Sequence, residues 1–418
     1  MPTGGPAGDD GPTPAVAGRA DRERGRAALE RLVGDVEVFL DDVWARRPLL
    51  TPGADPGQVR ALLSVAAVDA LLAERGQRTP TVRLVRSGET LPPERYTTSA
   101  RIGSRQLSDL LDAGRIQAEY AAGATVSLQG LHRYWPPLTD LCRSLEALLS
   151  HPFQANAYLS PPGAQGLRVH HDTHDVFVVQ IEGSKHFDVY EPVIELPVNG
   201  QHWSADEPPG KPVLSADLGP GDCLYMPRGW RHRAYTTDSP SLHLTVGLLA
   251  HTWLALPAVL SDLIAGDVEF RRPLPAGFAH DPDDFTGEVA ARLKQLAAWV
   301  SDVDPELVAD RLLRRSVTGR PTVAAGGLTR LVDRSVVTAQ TSVRRRPGTP
   351  CLLREDSGRV DLVLPDRTVS LPSVARTAVR ALVERDGHTA DSLPGSLDAA
   401  GRLVLIRRLV TEGLLEPA

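Results

Sequence analysis

His170 and Asp172 stand two residues apart in RVHHDTHD, and a second histidine, His232, closes the later stretch CLYMPRGWRH. Residues 168–172 fall between the turn-rich PPGAQG and the β-branched run Val176 to Gln180, which predicts a strand that begins after a loop. Side chains two apart on a strand share a face, so His170 and Asp172 would point together while His171 points away. Two imidazoles and one carboxylate, with no fourth protein ligand evident, leave coordination positions open. That is the set used by non-haem Fe(II) oxygenases, whereas a closed zinc site would need four protein ligands. A His-x-Asp pair by itself is commonplace on protein surfaces. The remote imidazole, reached through turns at Gly219-Pro220-Gly221-Asp222 and at Pro227 to Trp230, is what singles out this pair as a metal site.

The elements that must position these groups are short strands. Val176 to Ile181, a turn at Glu182-Gly183-Ser184, and Lys185 to Tyr190 read as a hairpin, and Cys223 to His232 reads as a strand followed by a bend that presents the second imidazole. Lys185 is one of only three lysines among 46 basic residues, so arginine is the chain's default cation. A lysine inside an apolar strand is then selected for its compact point charge. The ordinary alternative is an edge-strand lysine that discourages aggregation.

The segments GLRVHHDTHDVFVVQIEGSKHFDVY, LGPGDCLYMPRGWRHRAY and SLHLTVGL resemble the jumonji-type cupin core of the ribosomal oxygenases, most strongly from Asn156 to Leu249. The resemblance implies an α+β chain built on a double-stranded β-helix (cupin, or jelly-roll). It also implies Fe(II) held by the catalytic set His170, Asp172 and His232, and 2-oxoglutarate as co-substrate. Lys185 would meet the distal carboxylate of 2-oxoglutarate, with the Thr245 hydroxyl in support. Asn156 and Tyr158 match positions that grip the target imidazole in the histidinyl-hydroxylating branch. Some members of that branch carry a serine two residues beyond the threonine, where this chain has Gly247. Histidine is thus the favoured target and arginine the alternative.

A chain of 418 residues exceeds one ordinary core, so two or three domains are expected. Residues 1–20, rich in glycine and proline, read as a disordered tail. Residues 21–250 read as the catalytic domain with N-terminal helices: Ala20 to Val33, Asp35 to Trp44, Val65 to Glu74, Ser104 to Ala113 and Leu138 to Leu149. Residues 251–340 read as a helical domain, in which Val289, Leu293, Leu296 and Val300 recur at helical spacing and supply an apolar face for burial. Residues 347–418 alternate short strands with two helices and resemble the family's winged-helix-like module, while the helical region corresponds to its dimerisation domain. Arg344 to Arg346 read as a linker.

A net charge of −6 gives no overall attraction to nucleic acid or to an anionic membrane. Arg402, Arg407 and Arg408 on the last helix read as a solvated face rather than a DNA contact. Three widely spaced cysteines suit a reducing compartment, the cytoplasm, and no long apolar run suggests a membrane span. The activity that the resemblance implies is hydroxylation of a ribosomal protein or peptide by a homodimer. A tailoring hydroxylase of a small peptide or metabolite would use the same iron site, because a fold does not fix its substrate. A non-catalytic cupin regulator would lack ligands that this chain retains.

Overall fold

The computed structural model describes residues 18–418 apart from 54, 202–207, 281, 323–327, 329–336 and 357, so most of the expected tail lies outside the described residues. Two compact units are present, one spanning Arg19–Ala250 and the other containing His251–Ala418.

Among the described residues the first unit holds thirteen strands: β1 (Leu49–Thr51), β2 (Val82–Arg86), β3 (Glu89–Thr90), β4 (Thr97–Ile102), β5 (Arg105–Leu111), β6 (Thr125–Leu128), β7 (Phe153–Ser160), β8 (Asp175–Gly183), β9 (Lys185–Tyr190), β10 (Leu214–Leu218), β11 (Cys223–Met226), β12 (Arg231–Tyr235) and β13 (Ser241–Leu248). Eight form one sheet in the order β1-β11-β8-β13-β7-β6-β2-β3, and three form another in the order β10-β9-β12. Alternation divides the large sheet's residues between two cores. Phe177, Val179, Leu244 and Val246 face a core shared with the helices Arg19–Val33 and Pro136–Leu149. Val176 and Val178 face Phe187 and Val189 of the small sheet. This is the cupin arrangement in an α+β chain, and the space between its two sheets is where the site lies. The helix pair on the outer face approaches closely at Gly25, where a Cβ would lie 2.2 Å from the Ser144 carbonyl.

The expected hairpin from Val176 to Tyr190 does not form. β8 pairs with β11 and β13, whereas β9 pairs with β10 and β12, so the chain passes from one sheet to the other at Gly183. Gly183 has φ +66°, and a Cβ there would meet the Pro240 carbonyl at 1.8 Å. The same turn chemistry that predicts a hairpin serves here as a corner between sheets.

Ser104 to Ala113 also departs from expectation. Leu107, Leu110 and Leu111 have helical spacing, yet Arg105–Leu111 is a strand paired with Thr97–Ile102. A two-residue turn with Gly103 at φ +60° joins them, and that hairpin geometry overrides the leucine pattern. Pro56–Glu74 is apolar and long enough on paper to cross a bilayer. It is nevertheless two helices of 5 and 10 residues, the second capped by Ser64, and neither approaches the roughly 20 residues a span needs.

In the second unit the helices Ala255–Ile264, Pro282–Asp302 and Pro305–Thr318 precede small sheets. Leu352–Glu355, Arg359–Val363 and Thr368–Pro372 form one, and Val343–Arg345 pairs with Leu415–Pro417 in the other. Arg344 to Arg346 are therefore not a linker. They join the C-terminal edge, with the Arg345 and Arg346 side chains buried, because the strand they extend completes a core under the helices Arg376–Glu384 and Ala399–Thr411. On the last helix Arg407 donates to the Val337 carbonyl, Arg402 to that of Leu397, and Arg408 pairs with Glu412. The helix Pro282–Asp302 buries none of its residues, and of the face expected to pack inward Val289, Leu293 and Val300 are exposed while Leu296 is half-buried. Leu293 is 60% exposed.

Candidate metal centre

The segment carrying the first two ligands is not the strand that its sequence suggests. It meets β12 at two separate points, Gln165 to Tyr235 and His170 to His232. Five steps on one side face three on the other, so two extra residues bulge out and break the ladder. The second point holds the site. His170 N–H donates to the His232 carbonyl at 3.1 Å, and His232 N–H returns to the His170 carbonyl at 2.8 Å. Asp172 is fixed by its own carbonyl, which accepts the Gly229 N–H at 3.0 Å in the bend before β12.

Each imidazole is oriented in the same way. His170 Nδ1 donates to the Arg168 carbonyl at 2.8 Å, and His232 Nδ1 donates to the Trp230 carbonyl at 3.1 Å. Carbonyls only accept, so Nδ1 carries the proton and each Nε2 keeps a free lone pair. Ligand atoms of His170, Asp172 and His232 all lie within 4.8 Å of one another, with His232 Nε2 3.8 Å from Asp172 Oδ2. Burial, reinforced by His170 alongside, holds His232 down to about 4, so it is neutral at neutral pH. Burial pushes the Asp172 carboxyl up, but His232 and then His170 outweigh it, and the net direction is down. Two imidazole Nε2 atoms and a carboxylate suit a divalent metal while leaving positions open.

The three ligands open on a cavity of about 160 Å³ that also touches Tyr158, Lys185, His243 and Thr245. Lys185, 3% exposed, donates from Nζ to Ser160 Oγ at 2.9 Å, and that hydroxyl lies 2.9 Å from Thr125 Oγ1. Among the described residues no carboxylate pairs with Lys185, and burial brings its ammonium down to about 7. A buried cation without a counter-ion is costly unless an anion visits it. Thr245 of β13 stands in register between Asn156 of β7 and Val178 of β8. Asn156 Oδ1 accepts the Gly130 N–H at 2.9 Å, which leaves the amide's N–H groups for another partner. Tyr158 stacks flat on His243 with ring centroids 5.1 Å apart. A Cβ on Gly247 would lie 2.6 Å from His174, whose Nε2 is 3.3 Å from the Gln154 amide nitrogen.

A family model described as the JmjC domain matches residues 133–256, which carry every one of these ligands. This segment is similar to a JmjC domain. Over 270 residues the chain is 30% identical to the bifunctional lysine-specific demethylase and histidyl-hydroxylase NO66 of Drosophila persimilis, covering 60% of this chain and 37% of that protein. It is 32% identical over 272 residues to ribosomal oxygenase 1 of Gallus gallus, covering 62% and 44% respectively. The chain thus spans less than half the length of these relatives. Among solved structures, the ribosomal oxygenase YcfD of Escherichia coli aligns with a TM-score of 0.54 at 19% identity, over 93% of this chain and 99% of that one. A second YcfD structure, in complex with cobalt and 2-oxoglutarate, aligns with a TM-score of 0.53 at 18% identity. At that identity the likeness shows a shared fold and nothing further.

Ser160 and Thr125 under Lys185, His243 behind Tyr158, and His174 with Gln154 over Gly247 were not identified from the sequence. Only pairing register brings these residues together. Ser160 lies 25 residues from Lys185, and Thr125 lies 35 from Ser160.

Proposed function

We propose that this chain is an Fe(II)- and 2-oxoglutarate-dependent oxygenase that hydroxylates a side chain of a ribosomal protein, with histidine as the target. The observation that carries the reading is the buried Lys185, without a carboxylate partner among the described residues, in the cavity that holds the two-histidine, one-carboxylate set. A small dicarboxylate with a metal-chelating end satisfies both. In this reading His170, Asp172 and His232 hold the iron, which supplies activation of dioxygen coupled to loss of carbon dioxide from 2-oxoglutarate. Lys185 neutralises the distal carboxylate and Thr245 lies beside it, while Ser160 holds the ammonium in place.

The target side chain would enter past Asn156 and Tyr158. With Oδ1 of Asn156 occupied by Gly130, its remaining groups donate. A neutral imidazole offers a lone pair to such a donor and a guanidinium offers none, which favours histidine over arginine. The printed names of the relatives, histidyl-hydroxylase and ribosomal oxygenase, point the same way. The exposed apolar face of Pro282–Asp302 supports a homodimer, and the small strands and helices that follow support a winged-helix-like module. Buried, unpaired Cys142, Cys223 and Cys351 are in keeping with work in the cytoplasm.

The test is incubation of the full chain with Fe(II), 2-oxoglutarate and a panel of ribosomal proteins and their peptides. One of them should gain a single oxygen on a histidine, and His232→Ala should abolish both that product and metal binding. Tyr158→Ala should lower product more than it lowers uncoupled 2-oxoglutarate decay. Oxygen gained by a metabolite or short non-ribosomal peptide instead would replace this substrate with the tailoring alternative.

A further inference from the structure

His243 is absorbed by neither the metal set nor the contact that Lys185 is assigned. It is 4% exposed, and among the described residues nothing hydrogen-bonds its buried Nδ1. It nevertheless forms part of the cavity wall together with Lys185 and the three ligands. A buried imidazole must carry at least one N–H, and leaving that donor unsatisfied costs free energy that an apolar ring in the same place would avoid.

Its position follows from register. Lys185, Phe187 and Val189 alternate along β9 and so share one face. Val189 is the pairing partner of His232, which places the metal end of the cavity at Val189 and the cationic end at Lys185. Phe187 lies midway. His243 makes a T-shaped contact with Phe187, with ring centroids 5.8 Å apart, and Tyr158 stacks on one face of the imidazole. The imidazole is therefore beside the path from metal to ammonium. Burial, and then the charge of Lys185, push it well below its ordinary value, so it is neutral and has one N–H to give.

We infer that His243 is a co-substrate contact: its N–H donates to the carboxylate that Lys185 pairs with, and Tyr158 and Phe187 hold the ring in that orientation. The inference rests on the proposed reading of Lys185 and adds a second donor to it. A neutral donor beside a buried ammonium gives the site directionality that one point charge lacks, since an ammonium accepts a carboxylate from many angles.

The experiment uses the full chain loaded with Mn(II), titrated calorimetrically with 2-oxoglutarate and, separately, with oxalate, which chelates metal but has no distal carboxylate. His243→Phe keeps the ring and both aromatic contacts while removing the N–H, and His243→Leu is the second apolar replacement should the first not fold. Affinity for 2-oxoglutarate should fall about tenfold to a hundredfold, the range for a hydrogen bond to a charged group, with oxalate binding unchanged. His243→Asn, which restores a donor, should recover part of the loss. Wild-type affinity for 2-oxoglutarate in a folded apolar variant, or an equal loss for oxalate, would overturn the assignment. Lys185→Met run in parallel separates the two readings. If that variant loses 2-oxoglutarate while His243→Phe does not, only the role of His243 falls. If the unaltered protein binds oxalate but not 2-oxoglutarate, the reading of the co-substrate falls and this assignment with it.

Discussion

Lys185 Nζ donates to Ser160 Oγ at 2.9 Å, and this hydroxyl is its sole hydrogen-bond partner among the described residues. A hydroxyl orients an ammonium without neutralising it, and in the proposed reading the distal carboxylate supplies the missing charge. Lys185→Met should therefore weaken 2-oxoglutarate binding by roughly 2–5 kcal/mol, the cost of truncating one partner of a buried charge pair. Metal binding at His170, Asp172 and His232 should survive, as equilibrium dialysis of the variant can show.

The same burial sets a pH dependence. Folded Lys185 titrates at about 7 against an ordinary 10.5, and a bound dicarboxylate needs the protonated form. As pH rises above 7, affinity for 2-oxoglutarate should drop by up to about tenfold per unit, and binding should take up a proton. Stability of the ligand-free chain should move oppositely. Between those two values the unfolded chain holds the extra proton, so this contribution to stability rises with pH; below 7 both states hold it and the penalty is complete. Calorimetry in buffers of different ionisation enthalpy would detect the proton, and a flat affinity profile would rule out Lys185 as the cation.

How much of this was legible in the sequence depended on whether the deciding contact was local. The ligand trio was readable because His170 and Asp172 sit two apart and His232 follows recognisable turns. The strand assigned to them was not there, since two extra residues opposite β12 cannot be counted from one strand alone. Gly183 carried the right turn chemistry and the wrong partner: a glycine at positive φ serves a hairpin and a corner between sheets equally. Leu107, Leu110 and Leu111 have helical spacing yet lie in a strand because the Gly103 turn was decisive. Arg345 and Arg346 looked like linker charges, and only the pairing of their strand with the far C-terminus buries them.

Gly247 offers a test of packing over the site. A side chain there would place Cβ 2.6 Å from His174 Cδ2 and 3.2 Å from Gln154 Cγ. Gly247→Ser should displace the His174 ring and cost about 1–3 kcal/mol of stability, as overpacking does. His174→Ala in the same chain should recover most of that loss, because the two positions compete for one space. Urea unfolding of the single and double variants measures the coupling. Additive losses would mean that the His174 ring turns aside freely.

Leu293 carries the last prediction. It is 60% exposed in the middle of Pro282–Asp302, and Val289 and Val300 on the same helix are each 40% exposed. Leu293, Val289 and Leu296 border a cavity of about 390 Å³ together with Phe270, Leu274 and Phe285. In the proposed homodimer a second copy presenting the same helix would cover this apolar surface about a twofold axis. Leu293→Glu would place two carboxylates against each other at the centre of such an interface. The variant should run as a monomer in sedimentation velocity where the unaltered chain runs as a dimer. Its unfolding should shift by no more than about 0.5 kcal/mol beyond the loss of association, since the residue is not part of the monomer's core. A monomeric unaltered chain would remove the dimer, and a dimer that persists in Leu293→Glu would move the interface to another face.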